Sequence, residues 1–274
     1  TMADRPFTPP AAAEALDGLG MPLVDAMRSQ RAVRRLHLDP VDHDVLVPLL
    51  ELALKAPTSS NSQDWCFLVV ESREQKEALA RQWRRLHRFV NPIAERQARG
   101  DEQAQRAMRP GQWQADHFEE LPVFVVPCYR RNQKHRPVGR PQISVSSYYG
   151  SVYPAVQNLL LACRAVGLGA SLQTLPIWSI RGTRKILGLP REINPVCIIP
   201  IGWAKGRYGP TTRPPIGEVL HVDRYGNRPF LDRNPEDRTP GDRTPDDRRP
   251  DDARRDDRTP DEARPDERTP EEAP

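Results

Sequence analysis

The sequence is short of the residues that would announce several common chemistries. It has four cysteines, at positions 66, 128, 163 and 197, and no two of them form a CxxC pair. That spacing argues against a zinc ribbon and against a disulfide framework, and it fits a reducing, cytoplasmic setting. No GxGxxG follows an apolar strand pattern and no GxxxxGK[ST] occurs, so a dinucleotide fold or a P-loop has no support. No apolar run approaches the ~20 residues that a membrane helix needs. The first twenty residues lack the apolar centre of a signal peptide.

The end of the chain lacks even more. After Leu231 there is no Val, Ile, Leu, Met, Phe, Trp or Tyr, and proline recurs at 235, 240, 245, 250, 260, 265 and 270. A segment of that composition buries too little apolar surface to offset the entropy of ordering it, so residues 231–274 read as a disordered acidic, Arg- and Pro-rich pentad-repeat tail. The tail reads either as a solvated spacer or as a partner-binding segment. It holds 16 acidic residues and 10 arginines from Asp232 on, which leaves 31 basic and 21 acidic residues in positions 1–231. A body near +10 attracts phosphorylated ligands. No nucleic-acid-binding motif accompanies that charge, so a nucleic-acid partner is not expected.

What is present reads as alternating helices and strands. Residues 1–20 are rich in Pro and Ala and read as a flexible arm, and residues 21–230 as one folded domain. Helical spacing is expected over Pro22–Gln30, over a stretch from Asp42 to about Lys55 capped by the Asp42 carboxylate, over Arg73–Val90, over Tyr148–Val166 stopped by Gly167, and over Ile180–Leu187. Apolar runs predict strands at Asp64–Glu71, Leu121–Tyr129, Ala170–Leu175 and Val196–Trp203, with a last one at Val219–Val222. Residues 91–118 read as helices over an opening rather than core. Helices outweigh strands, so the class is α/β or α+β with a covered sheet.

Two polar segments interrupt these elements. Arg31-Ala32-Val33-Arg34-Arg35 offers guanidinium forks, which match phosphate geometry. Ala56-Pro57-Thr58-Ser59-Ser60-Asn61-Ser62-Gln63-Asp64-Trp65 packs hydroxyls and amides between a helix and a strand, and these groups both donate and accept. Together they point to a phosphorylated ligand with a heteroaromatic ring, held by distant segments of chain.

The ordered set of these pieces resembles the nitroreductase family. It continues through Ala155–Ala162, Gly167-Leu168-Gly169, Ile186–Pro190, Ile199–Trp203 and Arg213-Pro214-Pro215 with Glu218. The resemblance implies an α+β nitroreductase-like fold, with a mainly antiparallel central sheet flanked by helices, in a homodimer whose chains share two FMN sites. It implies that Arg31, Ala32 and Arg34 meet the FMN phosphate and ring edge, joined by Arg213. It implies that Pro57, Thr58, Ser59, Asn61 and Gln63 of the second chain lie along the flavin, and that Leu172, Gln173 and Thr174 lie near its N5 and O4. The implied activity is NAD(P)H-dependent reduction of a small-molecule acceptor (nitroaromatic, quinone or enone) by ping-pong hydride transfer. The alternative is a flavin-sequestering protein of the same fold with little turnover. Since a flavin would carry the hydride, no catalytic side chain and no metal are expected. Trp113, Phe118, Tyr148, Tyr149 and Trp178 are candidates for the substrate-pocket wall, or else ordinary core packing. The basic loop with Lys134, His135 and Arg136 reads either as solvated or as a site for the NADPH 2′-phosphate.

Overall fold

A computed structural model of the chain describes residues 7–97, 99–131, 141–206 and 208–231. The expected tail and the loop residues Lys134, His135 and Arg136 therefore lie outside the described residues. The chain divides into two units, one ending at Thr211 and one beginning at Thr212.

Five strands form the sheet of the first unit: β1 (Trp65–Val70), β2 (Val123–Arg130), β3 (Leu168–Ala170), β4 (Ile193–Pro195) and β5 (Ile199–Trp203). The order is β1-β2-β5-β3, and β4 pairs with β2 beside β5. Every ladder is antiparallel. That resolves the class in favour of α+β. β2 sits at the centre because it is apolar up to its last residue, Arg130, and all but its last two residues are buried.

Alternation along β2 feeds two cores. Val123 and Val125 face one, Phe124, Val126 and Cys128 the other. The period of two requires this when both faces of a sheet are covered. On the first face lie α1 (Ala12–Asp17), α3 (His43–Ala53) and α6 (Pro141–Ala165), with Leu46, Leu49, Val156 and Leu159 fully packed. On the second face α4 (Arg73–Gln97) and α7 (Ile180–Leu187) contribute Leu79, Trp83 and Leu187, and α5 (Glu102–Asp116) contributes Ala115. α2 (Leu23–Ser29) leads into the arginine segment.

Local signals explain several ends. Asp42 caps α3 by accepting from Asp44 N at 2.8 Å. Gly167, at φ 83°, stops α6 in the left-handed region that glycine tolerates. α6 begins earlier than its apolar stripe, at Pro141, since proline suits a first helical turn.

Other expectations need correction. The strand expected over Ala170–Leu175 is shorter and earlier: β3 ends at Ala170, Gln173 makes a single bridge to Ile198, and Leu175–Ile177 is a turn of 3-10 helix. No strand forms over Val219–Val222: Val219 ends a short helix, α8 (Ile216–Val219), in the second unit, where Gly217 lies against the Phe230 carbonyl, and residues 220–222 are irregular. Within the expected arm, α1 is folded, Ala15 is buried, and Phe7 stacks on His37 at 3.8 Å. The end of the 91–118 segment is core rather than an opening, because Gln114, Ala115 and Phe118 are all buried.

The arginine segment docks on β3 through a glycine. A Cβ at Gly169 would lie 2.5 Å from Leu36 Cδ2 and 2.8 Å from Val33 Cγ1, and Leu36 is fully buried. Gly169→Ala should therefore destabilise the chain by about 1–3 kcal/mol through overpacking. Urea unfolding checks this, and an unchanged midpoint contradicts it.

Candidate functional site

The arginine segment starts at the outer edge of β3 and crosses to the end of β5, where Leu36 bridges to Ala204. Val33 N donates to Ala170 O at 3.0 Å, Lys205 N to Arg35 O at 3.0 Å, and His37 N to Trp203 O at 2.8 Å. Just upstream, Arg164 of α6 donates to Ser29 Oγ at 2.8 Å and lies over the Tyr208 ring, 4.1 Å from its centroid. These ties fix the backbone while Arg31 and Ala32 stay exposed. Arg34 is half-buried, and its burial lowers its pKa. Among the described residues no carboxylate pairs with Arg31 or Arg34. A desolvated guanidinium without an anion carries an unmet electrostatic cost, which a bound phosphate would relieve.

Leu172, Gln173 and Thr174 follow β3 on the same side of the sheet, so the structure brings them beside the arginine segment. Gln173 is anchored twice. Its backbone exchanges two 2.8 Å hydrogen bonds with Ile198, and its Nε2 donates to Gln114 Oε1 at 2.7 Å. Gln114 is fully buried and also donates to Ser171 Oγ at 3.0 Å, while the Ser171 hydroxyl lies 3.2 Å from Gln114 Oε1. A buried network of this kind holds only when its members are satisfied, so it fixes the Gln173 amide. Gln114 and Ser171 have no distinguishing sequence signal, because an amide inside a polar helix reads as solvent-exposed until its partner is known.

The 57–63 segment lies at the other edge of the sheet, just before β1. Thr58 Oγ1 accepts from Gln63 N at 3.2 Å, Asn61 Oδ1 accepts from Gln63 Nε2 at 3.1 Å, and Ser151 Oγ of α6 accepts from Ser59 N at 3.2 Å. Ser60, Asn61 and Gln63 have φ of 53°, 51° and 49°. A left-handed conformation costs a non-glycine residue about 1 kcal/mol or more, so three of them within four residues mark a loop held against its own preference. Ser59, Asn61 and Gln63 are exposed, as is Pro57.

From β1 across β2 and β5 to β3 there are three strand spacings, and the arginine segment lies one further out. At about 4.8 Å each, Val33 and the 57–63 loop are separated by at least roughly 19 Å across the strands of one chain. Arg213 lies in the second unit, exposed, with its guanidinium donating to Thr212 O at 2.8 Å.

The aromatic candidates divide. Tyr149, Trp178 and Thr174 line one cavity of about 410 Å³, together with Tyr153, Ile177, Ile180, Pro195 and Val196. Trp178 is exposed at 52% and its indole donates to Gln82 O at 2.9 Å. Tyr148 stacks on Tyr129 at 4.6 Å, and Trp113 stacks on His117 at 4.6 Å. Phe118 is fully buried, in edge contact with Trp83 at 4.7 Å and stacked on Phe124 at 4.3 Å, so its ring serves the core. Among the described residues no group of three His, Cys, Asp or Glu gathers in a way that could hold a metal. None of the described helices is long and apolar enough to cross a membrane.

Comparison with known proteins adds to this geometry. A sequence model of the nitroreductase family matches residues 27–203, a span that holds both polar segments and Leu172–Thr174 and leaves Arg213 outside. The iodotyrosine deiodinase of Thermotoga neapolitana is 27% identical over 199 residues, covering 72% of this chain and 95% of that protein. The 5,6-dimethylbenzimidazole synthase of Rhodospirillum rubrum is 26% identical over 229 residues, covering 83% and 97%. A crystal structure of oxidized iodotyrosine deiodinase bound to FMN and 3-iodo-L-tyrosine superposes with a TM-score of 0.55 at 22% identity, over 75% of this chain and 100% of that one. This last likeness is one of fold.

Replacing Gln114 with leucine would leave the Ser171 hydroxyl and the Gln173 amide without their buried partner. The expected cost is about 1–3 kcal/mol in urea unfolding. A Gln114→Leu chain as stable as the parent contradicts the network.

Proposed function

This chain belongs to the nitroreductase family, and from that premise we propose that it is an FMN-dependent oxidoreductase that works as a homodimer with NAD(P)H as co-substrate. Its proposed acceptors are small electrophiles of the nitroaromatic, quinone or enone type. The observation that carries the reading is the Arg31–Arg34 segment: a half-buried guanidinium with no carboxylate partner among the described residues, beside an exposed one, tied to β3 through Val33.

The residues suit such a cofactor. A phosphate needs fixed cationic forks, which Arg31 and Arg34 offer. A heteroaromatic ring needs a few placed donors and acceptors in an otherwise apolar slot, which the Gln173 amide and the aromatic cavity at Thr174 offer. The chemistry that a bound FMN supplies is hydride transfer, taken from NAD(P)H and passed to the acceptor at the same open ring face.

The chain's own part is binding and orientation. Arg31 and Arg34 clamp the phosphate. The Ala32 backbone lets the ring edge approach closely. Leu172, Gln173 and Thr174 border the reactive edge, and Gln114 keeps the Gln173 amide turned one way. Pro57, Thr58, Ser59, Asn61 and Gln63 come from the second chain, which meets the roughly 19 Å gap within one chain. Tyr149 and Trp178 wall the face where co-substrate and acceptor alternate. Tyr148 supports that wall from outside the cavity through Tyr129, which touches both Tyr148 and Tyr149. No side chain has to donate or take a proton for the hydride itself to move.

The purified protein should be yellow, with a flavin absorption band that bleaches on anaerobic addition of NADPH and returns on addition of a quinone. A colourless protein that takes up no FMN contradicts the reading. Tight FMN binding with no bleaching and no turnover favours the sequestering alternative.

A further inference from the structure

Cys66 and Cys128 stand directly opposite each other on β1 and β2. In the same ladder Arg130 N donates to Asp64 O at 2.7 Å, so the 64–130 pair is hydrogen-bonded. Hydrogen-bonded pairs alternate along an antiparallel ladder, which makes 66–128 one as well. Such pairs hold their Cα atoms about 5.5 Å apart, within the ~4.4–6.8 Å that a disulfide spans, while their Cβ atoms, at about 5–5.5 Å, must draw together toward ~4.5 Å for the bond to close. Opposed residues share a face, and both thiols belong to the second core. Cys128 is fully buried, with its Sγ 3.5 Å from the Val126 carbonyl oxygen. Cys66 is half-buried on the edge strand, at a cavity of about 500 Å³ that Gln63 and Trp65 also line. Cys163 and Cys197 are buried in the first core, across the sheet from this pair.

We propose that Cys66 and Cys128 form a redox modification site, a cross-strand dithiol that a small-molecule disulfide such as oxidised glutathione closes to an intramolecular disulfide. Cys66, as thiolate, attacks one sulfur of the external disulfide. The S–S bond of the reagent breaks, one thiol leaves, and Cys66 carries a mixed disulfide. Cys128 then loses its proton and attacks the Cys66 sulfur, which expels the second thiol. In sum one external disulfide is reduced to two thiols, and two protein thiols are oxidised to one disulfide with no other reactant.

The surroundings assign the order of attack. The neighbouring Cys128 side chain holds the Cys66 thiol down to about 7 against the opposing effect of burial, and Arg130 adds to the lowering. The lowered Cys66 thiol is therefore the better nucleophile of the two. The Cys128 thiol is pushed up, by its bond to Cys66 and by burial, which suits a group that reacts only after Cys66 has. The closed bond would tie the edge strand, and the 57–63 loop leading into it, to the central strand. The inference does not depend on the proposed flavin chemistry.

The test uses the whole wild-type chain, fully reduced and then incubated natively with oxidised glutathione. After alkylation, peptides are mapped by mass without reduction. The expected product is a Cys66–Cys128 linked peptide lighter by two hydrogens, with Cys163 and Cys197 alkylated only on unfolding. In Cys128→Ser the expected product is a stable glutathione adduct at Cys66. A wild-type chain that retains glutathione on Cys66, or whose Cys66 is alkylated as a free thiol, overturns the proposal. The first measurement needs no variant, so a variant that fails to fold does not affect it.

Discussion

The order of the sheet is the constraint on which the rest depends. With β1 at one edge and β3 at the other, the hydroxyl-rich loop and the arginine segment cannot close on each other within a chain. Both sheet faces are already committed to core, so neither segment can cross the layer without opening it. Each edge therefore presents half of the proposed binding surface. The proposed homodimer follows from that division: a second copy supplies at each edge what the first lacks.

The two halves are built differently. The arginine half is rigid by backbone pairing, and its side chains are left with unmet charge. The loop half is held by side-chain bonds around three left-handed residues, Thr58 accepting from Gln63 N and Ser151 from Ser59 N. Rigidity at both edges means little ordering cost remains when a ligand arrives, and that is what preorganisation contributes to binding. The Gln114–Ser171–Gln173 network extends the same logic under the first half, by fixing an amide that would otherwise rotate.

Much of this was legible in the sequence. β1 and β2 announce themselves as apolar runs between polar flanks, α3 by its Asp42 cap, and the end of α6 by Gly167. The two polar segments stand out because guanidinium, hydroxyl and amide groups cluster between apolar elements. What was not legible depends on pairing at a distance. β3 is three residues long, too short for a period to appear, so its position slipped. Phe118 reads like any aromatic near an opening until Trp83 and Phe124 are seen to enclose it. Gln114 looks solvated, and the opposition of Cys66 to Cys128 needs the register of two strands 62 residues apart.

The central claim is that each FMN site joins the arginine segment of one chain to the 57–63 loop of another. Its most direct test is a purified heterodimer in which one chain carries Arg31→Ala and Arg34→Ala and the other carries Ser59→Ala and Asn61→Ala. One of its two sites then combines both defects and the other has none. The account predicts no FMN in either variant homodimer and one FMN per heterodimer at wild-type affinity. A heterodimer that binds no FMN, like its parents, would show that each site is built within a single chain and would contradict the account.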